Sequence, residues 1–323
     1  MLGILDLKPK IAISSDNVEC PVIGCSKKVE RQRHSFKREE RFRCSEHKIY
    51  ISPSTFEYDN EIDNLLWKNE TDVSLLEAVK TVKRESRISR DNSEDAISWN
   101  VFRYLEDTNQ VAKLLSWVTQ TEQHLIELMY WSYSQKAHGA WSELNKARKE
   151  FGENLQRSSE PDLIVLTETA LVFIEAKLTA TNNTSPSGSN HRTNYLTGGN
   201  EWHTQVFVSD FDTVAIKAKK YELFRFWLLG SWLASQLGRD FYLINLVLSE
   251  REKEIEQQFS PHINKGINRQ FIRVTWEDIY SFIAEYAPED HNKSVILEYF
   301  RNKTIGYDRF GELQKAFVVD MKI

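Results

Sequence analysis

Two short apolar runs with charges at their ends lie at residues 161–167 and 171–178, joined by the polar stretch Thr-Glu-Thr. Their length and their polar boundaries predict two strands of a hairpin. Alternate residues of a strand share a face, so Glu175 and Lys177 are expected to be neighbours, about 6–7 Å apart along the strand. The second strand is therefore predicted to carry two adjacent charges on one face of a sheet.

The pairing of the two strands decides whether Asp162, which opens the first run, joins these charges. If residue 166 pairs with residue 172, Asp162 lies opposite residue 176, beside Glu175 and Lys177. We therefore expect the three charged residues to meet at one end of the sheet. The expectation depends on that register, since a shift of one residue is expected to scatter the group.

The chain from residue 93 onward predicts a mixture of helices and strands. A helix is expected after a capping Asn92 or Ser93, because apolar residues then repeat every four positions. The later elements are a strand within 124–134, a polar-faced helix after residue 140, a loop over 179–202, a helix over 213–237, a strand over 240–249 and a strand that runs into a helix after Thr275. The order helix, strand, strand, strand, helix, strand predicts an α/β fold with a mixed central sheet flanked by helices.

Composition narrows the class of protein. The chain has 323 residues, of which 41% are hydrophobic and 28% charged, so it can bury a substantial core. Its formal net charge of -5 provides no overall basic field, so any site for a polyanion must be local. The sequence shows no signal-peptide pattern and no apolar run near the roughly 20 residues that span a bilayer. A cytoplasmic protein without a membrane partner is expected.

The three cysteines of the chain all lie in its first 44 residues. Cys20 and Cys25 form one close pair, and Cys44 forms another with His47. Two such pairs separated by a loop can converge tetrahedrally on one structural Zn²⁺, which predicts a zinc-ribbon-like module. His34 is the alternative fourth ligand, and the alternative to a metal site is three unrelated cysteines.

The loop between the two pairs is basic. Eight lysines and arginines over residues 27–43, among them Arg41 and Arg43, accompany only Glu30, Glu39 and Glu40 in this stretch. Interleaved phenylalanines make the composition suitable for contacts with nucleic acid. A solvated hairpin without a partner is the alternative.

These features divide the chain into four expected segments. They are the zinc-ribbon-like module at 1–52, a connecting helical segment at 53–89, a catalytic core at 90–250 and a C-terminal α/β extension, packed on the core, at 251–323.

Asp162, Glu175 and Lys177 have a definite chemical use if they meet. Two carboxylates, with the backbone carbonyl of Ala176, offer the oxygen ligands that Mg²⁺ or Mn²⁺ prefers. Such an ion polarises a phosphoryl oxygen and activates water, and a nearby lysine can orient the water or stabilise the developing charge. A surface hairpin with a solvated salt bridge is the alternative.

The stretch EPDLIVLTETALVFIEAK resembles the signature of the PD-(D/E)XK, or restriction-endonuclease-like, nuclease superfamily. Pro161-Asp162 matches its first element and Glu175-Ala176-Lys177 its second. The resemblance covers about residues 90–250 and implies a core of helix, three strands, helix and strand. It also implies a metal-binding glutamate on the first core helix, for which Glu94 is the candidate and Asp95 the alternative.

The resemblance further implies substrate contacts from the crossover helix. The candidates there are Gln205, Lys217, Lys219, Tyr221 and Arg225. The expected function is a Mg²⁺-dependent endonuclease that hydrolyses DNA, most simply double-stranded DNA, in restriction, repair or genome defence. Cutting both strands often requires two sites, so a homodimer is an open expectation. The rival hypothesis is a non-catalytic module that binds nucleic acid or protein on the same fold.

Overall fold

The computed structural model describes residues 7–83, 85–154, 158, 160–186 and 192–319. Within these residues the strands are β1 (Asn17–Glu19), β2 (Lys28–Glu30), β3 (Ile49–Ile51), β4 (Phe56–Tyr58), β5 (Leu125–Tyr130), β6 (Tyr133–Ser134), β7 (Gly139–Ala140), β8 (Leu163–Thr167), β9 (Ala170–Ala176), β10 (Asp240–Val247), β11 (Arg269–Thr275), β12 (Thr304–Tyr307) and β13 (Leu313–Lys315). The helices are α1 (Glu70–Lys80), α2 (Glu94–Asp107), α3 (Val111–Thr119), α4 (Ser142–Glu150), α5 (Arg192–Val206), α6 (Tyr221–Gln236), α7 (Ile255–Phe259), α8 (Trp276–Tyr286) and α9 (His291–Asn302).

The chain forms two compact units. The first unit draws on Met1–Val73, Ser86–Thr108 and Glu277–Ile323, and the second on Ser74–Glu85 and Asn109–Trp276. This grouping differs from the four consecutive segments expected from the sequence, and that division (1–52, 53–89, 90–250 and 251–323) stays a prediction.

A mixed seven-stranded sheet with flanking helices organises the second unit, which confirms the α/β class. The strand order is β11-β10-β9-β8-β5-β6-β7. β10 runs parallel to both β9 and β11, whereas β8 runs antiparallel to β5 and β9. Along the chain, α2 and α3 precede β5, β8 and β9, and α6 precedes β10, as predicted. The short strands β6 and β7 and helix α4 are inserted between β5 and β8.

The face of β9 that carries Glu175 is apolar along the rest of its length. Leu171 and Phe173 belong to the same buried cluster as the inner side of α6. Gly230 of α6 permits this packing, because a Cβ atom there would lie 2.3 Å from the ring of Phe241 and 3.0 Å from that of Phe173. The predicted alternation of the strand is confirmed, and its charged end directly follows a dry core.

The register of the β8–β9 hairpin differs by one residue from the prediction. Leu166 pairs with Leu171, not with Val172, so the hairpin turn contains only Glu168 and Thr169. Extending this register places Asp162 opposite Glu175 rather than Ala176. Opposite residues in a sheet share a face, so the observed register brings the two carboxylates together more directly than the predicted one. The predicted register was therefore wrong, and the register one residue away from it is the one that brings the group together.

Two other expectations also need correction. The expected loop over 179–202 contains the start of α5, with the non-helical residues Gly198–Glu201 forming a kink; its residues 187–191 lie outside the described part of the chain. The expected helix over 213–237 is interrupted, because a π-helical turn at Asp212–Lys217 and a left-handed Lys219 precede α6. Among the described residues, no helix has the length and apolar character needed to cross a membrane.

Candidate functional site

The carboxyl end of β9 carries a buried carboxylate. Glu175 is 3% exposed and pairs in register with Asn245 of β10, which is fully buried. The next pairs on the same face of these two strands are Phe173 with Leu243 and Leu171 with Phe241. On this face, the side chains therefore change from apolar to polar between one residue pair and the next at this end of the sheet.

Asp162 directly precedes β8 and is held against the end of β9. Its Oδ2 accepts a hydrogen bond from the backbone N–H of Ala176 at 2.8 Å. Its Oδ1 accepts one from the indole Nε1 of Trp131 at 3.3 Å. The structure therefore brings Asp162 together with the Glu175-Ala176-Lys177 segment.

Lys177 follows β9 and turns back toward two carboxylates. Its ammonium group donates a hydrogen bond to Oε1 of Glu175 and lies 3.0 Å from Oε2 of Glu222, in the first turn of α6. The Lys177 side chain is only 12% exposed. Sequence reasoning missed Glu222, which makes a third carboxylate around one lysine.

Burial and nearby charges shift the pKa values of Glu175 and Lys177. Burial raises the pKa of Glu175 well above its ordinary value, and the negative charges of Glu222 and Asp162 raise it further against the opposing effect of Lys177. Burial alone would lower the pKa of Lys177, but Glu175, Glu222 and Asp162 together raise its pKa well above the ordinary value. Lys177 is therefore an ammonium ion at neutral pH.

The loop after Lys177 explains why Glu222 comes close. Thr184 accepts a hydrogen bond from the backbone N–H of Tyr221 through its carbonyl oxygen at 3.2 Å. Its Oγ1 accepts another from the backbone N–H of Glu222 at 2.9 Å. These bonds satisfy free N–H groups at the start of α6 and so fix that helix end beside Lys177.

A second polar network fastens the same loop to the end of β10. Asn182 donates from its backbone N–H to Oε1 of Glu252 at 2.8 Å and from its side chain to Oδ1 of Asn245 at 2.7 Å. Lys220, which is 2% exposed, donates to Oδ1 of Asn183 at 2.8 Å. Burial lowers the pKa of Lys220.

Glu94 begins helix α2 of the first compact unit. Ser93 caps this helix, since its side chain accepts from the backbone N–H of Ala96 at 3.0 Å, as the sequence predicted. Asp162, Glu175 and Lys177 belong to the second unit. The expected part of Glu94 in the metal site, with Asp95 as its alternative, stays a prediction.

The expected substrate-binding residues of the second unit lie in different surroundings. Gln205 and Lys217 are exposed. Tyr221 and Arg225 share a face of α6, with the guanidinium group 5.3 Å from the ring centre. Arg225 is turned inward by Glu153, whose side chain is 1% exposed and whose Oε1 lies 3.0 Å from Nε of Arg225.

The first unit gathers the predicted cysteine and histidine ligands. The ligand atoms of Cys20, Cys25, Cys44 and His47 all lie within 4.8 Å of one another. The Nδ1 atom of His47 is 3.6 Å from Sγ of Cys20 and 3.8 Å from Sγ of Cys44. The three thiols are buried, and the group could bind a metal ion such as zinc. His47, not His34, completes this group.

Local backbone structure explains the convergence. The turn from Cys20 to Cys25 joins the antiparallel strands β1 and β2, and Gly24 takes the left-handed conformation that the turn requires. Cys44 donates its backbone N–H to the carbonyl of Ile49 at 2.9 Å, which closes the second turn before β3. Apolar residues surround both turns.

The basic loop of the first unit is largely neutralised by acids. Six of its eight cationic side chains, those of Lys27, Arg33, Lys37, Arg38, Arg41 and Arg43, have a nitrogen within 3.9 Å of a carboxylate oxygen. Four of the acidic partners lie outside the loop: Asp16, Glu46, Glu57 and Asp59. Arg41 contacts Glu30 and Glu39, and Arg43 contacts Glu40 and Asp59. The charge available to a phosphate backbone is smaller than the sequence suggested.

The four residues Cys20, Cys25, Cys44 and His47 are called the Cys20–His47 group below. Within the described residues, this group is the one place where three or more Cys, His, Asp or Glu ligand atoms approach so closely. The carboxylates at the sheet end form no comparable cluster of three protein ligands. Comparison with protein-family models, with curated proteins and with solved structures finds no match to this chain.

Three residues of the sheet-end site escaped sequence reasoning for different reasons. Asn245 had a readable signal, because it is a polar residue inside an otherwise apolar strand. Glu222 had a weaker one, as an acid in the first turn of a helix. Trp131 had none, because its contact with Asp162 depends on a turn that the sequence did not predict.

Proposed function

We propose that the chain is a metal-dependent nuclease that hydrolyses phosphodiester bonds of DNA, with a restriction-endonuclease-like core. The observation that carries the proposal is the hydrogen bond of 2.8 Å between Oδ2 of Asp162 and the backbone N–H of Ala176. It joins the two halves of the sequence signature, which lie on neighbouring strands, at one end of the sheet. The ammonium group of Lys177 in contact with Glu175 supplies the third member.

Asp162, Glu175 and the backbone carbonyl of Ala176 would hold Mg²⁺ or Mn²⁺ in this proposal. The donor set consists of oxygens, which these ions prefer. Among the described residues, Oε2 of Glu175 is buried without a hydrogen-bond partner, as expected of a ligand atom. When bound, the ion would polarise a phosphoryl oxygen and make water a better nucleophile.

Lys177 acts in this proposal as a fixed positive charge rather than as a base. Its raised pKa keeps it protonated at neutral pH. An ammonium group has three N–H donors, and Lys177 donates one of them to Oε1 of Glu175, whereas Glu222 contributes an ion pair at 3.0 Å. A donor that Glu175 does not use can orient the attacking water or stabilise negative charge on the phosphoryl group in the transition state.

Contacts with the substrate are proposed for the exposed Gln205 and Lys217 and for Tyr221 near the Lys177 site. Arg225, Arg41 and Arg43 remain candidates, although each already faces a carboxylate. We also propose that the Cys20–His47 group holds a structural Zn²⁺, as in a zinc ribbon.

Cleavage of supercoiled plasmid, linear duplex and single-stranded DNA and RNA, with Mg²⁺, Mn²⁺ or Ca²⁺, tests the proposal. We expect wild-type protein to cleave DNA with Mg²⁺ or Mn²⁺, and Asp162→Asn and Lys177→Met to lose the activity. Glu250→Gln and Lys253→Met, which alter an exposed ion pair of the same unit, serve as matched controls. Intact DNA and RNA with every metal would reject the nuclease and favour the non-catalytic module.

A further inference from the structure

The turn that joins β5 to β6 has an unusual backbone. Its two residues are Trp131 and Ser132, with φ angles of 46° and 73°. Two-residue hairpin turns need such angles and normally use asparagine or glycine, because a large side chain is strained in the left-handed region. Trp131 is also fully buried. Strain of this kind persists only where the surroundings enforce it, and it concentrates at functional sites.

Neighbouring residues hold this turn in place. Ser132 is fully buried, and its Oγ accepts a hydrogen bond from Nη2 of Arg148 at 3.1 Å. Arg148 belongs to α4 and is itself 5% exposed. The carbonyl of Ser132 accepts a further bond from the backbone N–H of Trp141 at 2.8 Å. The segment inserted between β5 and β8, which contains Trp141 and Arg148, therefore holds the turn in place.

Trp131 makes two hydrogen bonds to one residue. Its backbone N–H donates to the carbonyl of Asp162 at 3.0 Å, and its indole Nε1–H donates to Oδ1 of the same aspartate at 3.3 Å. The other carboxylate oxygen accepts from the backbone N–H of Ala176. With one N–H donor on each oxygen, the plane of the Asp162 carboxylate is fixed from two sides.

A lysine lies on the face of the same indole. The ammonium nitrogen of Lys83 is 4.2 Å from the centre of the Trp131 ring, within the range of a cation–π contact. A positive charge at the ring makes the indole N–H a stronger donor to the aspartate that receives it. The strained turn thus presents a polarised donor to Asp162.

We propose that Trp131 is a positioning residue that fixes the orientation of the Asp162 carboxylate for binding of a divalent cation. The proposal rests on the proposed nuclease function, because it gives Asp162 the part of a metal ligand. Groups that orient a ligand in this way typically change metal affinity or activity about 10- to 100-fold when they are removed.

The first test does not depend on activity. Nuclear magnetic resonance of the ¹⁵N-labelled indole groups follows the Trp131 signal, assigned from through-space contacts in the wild-type protein. We expect Asp162→Asn and the addition of Mg²⁺ each to shift this signal, and to leave that of Trp117, which is 39% exposed, unchanged. A Trp131 signal that responds to neither change would overturn the proposal, even if Trp131→Phe failed to fold.

The second test uses Trp131→Phe, which retains an aromatic ring but loses the N–H donor, with Trp117→Phe as the matched control. We expect the Mg²⁺ concentration for half-maximal cleavage to rise about 10- to 100-fold, with KM for DNA unchanged. Equal Mg²⁺ dependence in the two variants contradicts the positioning role. If wild-type protein cleaves nothing, the nuclease proposal fails, and Mg²⁺ titration of the indole signal still decides whether Trp131 serves a cation site.

Discussion

The ammonium nitrogen of Lys177 lies 3.0 Å from Oε2 of Glu222. Glu222 belongs to helix α6 and lies outside the two strands that carry the sequence signature. Lys177 therefore has one carboxylate neighbour on its own strand and another on the crossover helix. The second contact helps to keep the lysine charged, since the negative charge of Glu222 contributes to its raised pKa.

Glu222→Gln is expected to lower the pKa of Lys177 and to reduce cleavage about three- to tenfold. Glu222 is 30% exposed, so solvent screening makes the loss smaller than for a fully buried pair. Measuring kcat/KM across the pH range tests this, with Glu143→Gln, whose side chain is similarly 31% exposed, as control. An unchanged rate and pH profile would mean that Glu222 has no influence on Lys177.

Glu175 is expected to make the protein less stable as pH rises. The folded state holds its proton more tightly than the unfolded chain, so its contribution to stability is fully present below the unfolded value of about 4.5 and is lost as pH rises toward the folded pKa. In that window the wild type should lose stability relative to Glu175→Gln as pH rises, by on the order of 1 kcal/mol per pH unit at most. Chemical denaturation at several pH values measures the difference, and parallel stability curves would contradict it.

Replacement of Cys25 by serine is expected to release the metal from the first unit and to lower the free energy of unfolding by several kcal/mol. A structural zinc ion supplies folding energy directly, and Cys25 is one of its four candidate ligands. Metal analysis and thermal unfolding test this together. His34→Ala should keep the metal, because His34 does not belong to the group; wild-type protein that folds without metal would be the contrary result.

Arg225→Met is expected to destabilise the second unit by about 3–5 kcal/mol, because it removes the cation that faces a buried carboxylate. The Glu153 side chain is 1% exposed and lies 3.0 Å from the guanidinium group. Urea denaturation measures the loss, and adding Glu153→Gln should recover a large part of it. If DNA binding falls while stability is unchanged, Arg225 is a substrate contact and not a structural one.

The sequence predicted the parts of the site that depend on local periodicity. Alternation placed Glu175 on the face that follows Leu171 and Phe173, and spacing selected His47 over His34 as the fourth member of the cysteine and histidine cluster. The register was predicted wrongly by one residue, because the stretch Thr-Glu-Thr does not by itself show how many residues the turn uses.

Contacts between distant parts of the chain could not be predicted in the same way. The acids that pair with the basic loop include Asp16 and Asp59. The composition of the sequence does not show that either residue forms an ion pair with the loop. Glu222 lies close to Lys177 at the start of a helix that Thr184 holds through a hydrogen bond. Such contacts depend on loop geometry, for which hydrophobic periodicity carries no information.

The two-residue turn at Glu168 and Thr169 has a consequence for how such chains are compared. One additional residue there would leave the motifs Pro161-Asp162 and Glu175-Ala176-Lys177 unchanged in the sequence. It would nevertheless move the side chains of one strand to the other face of the sheet relative to its partner. A motif search would score both versions alike, although only one could bring the carboxylates to the same side. For chains of this kind, the length of a surface turn is as informative as the identity of the charged residues.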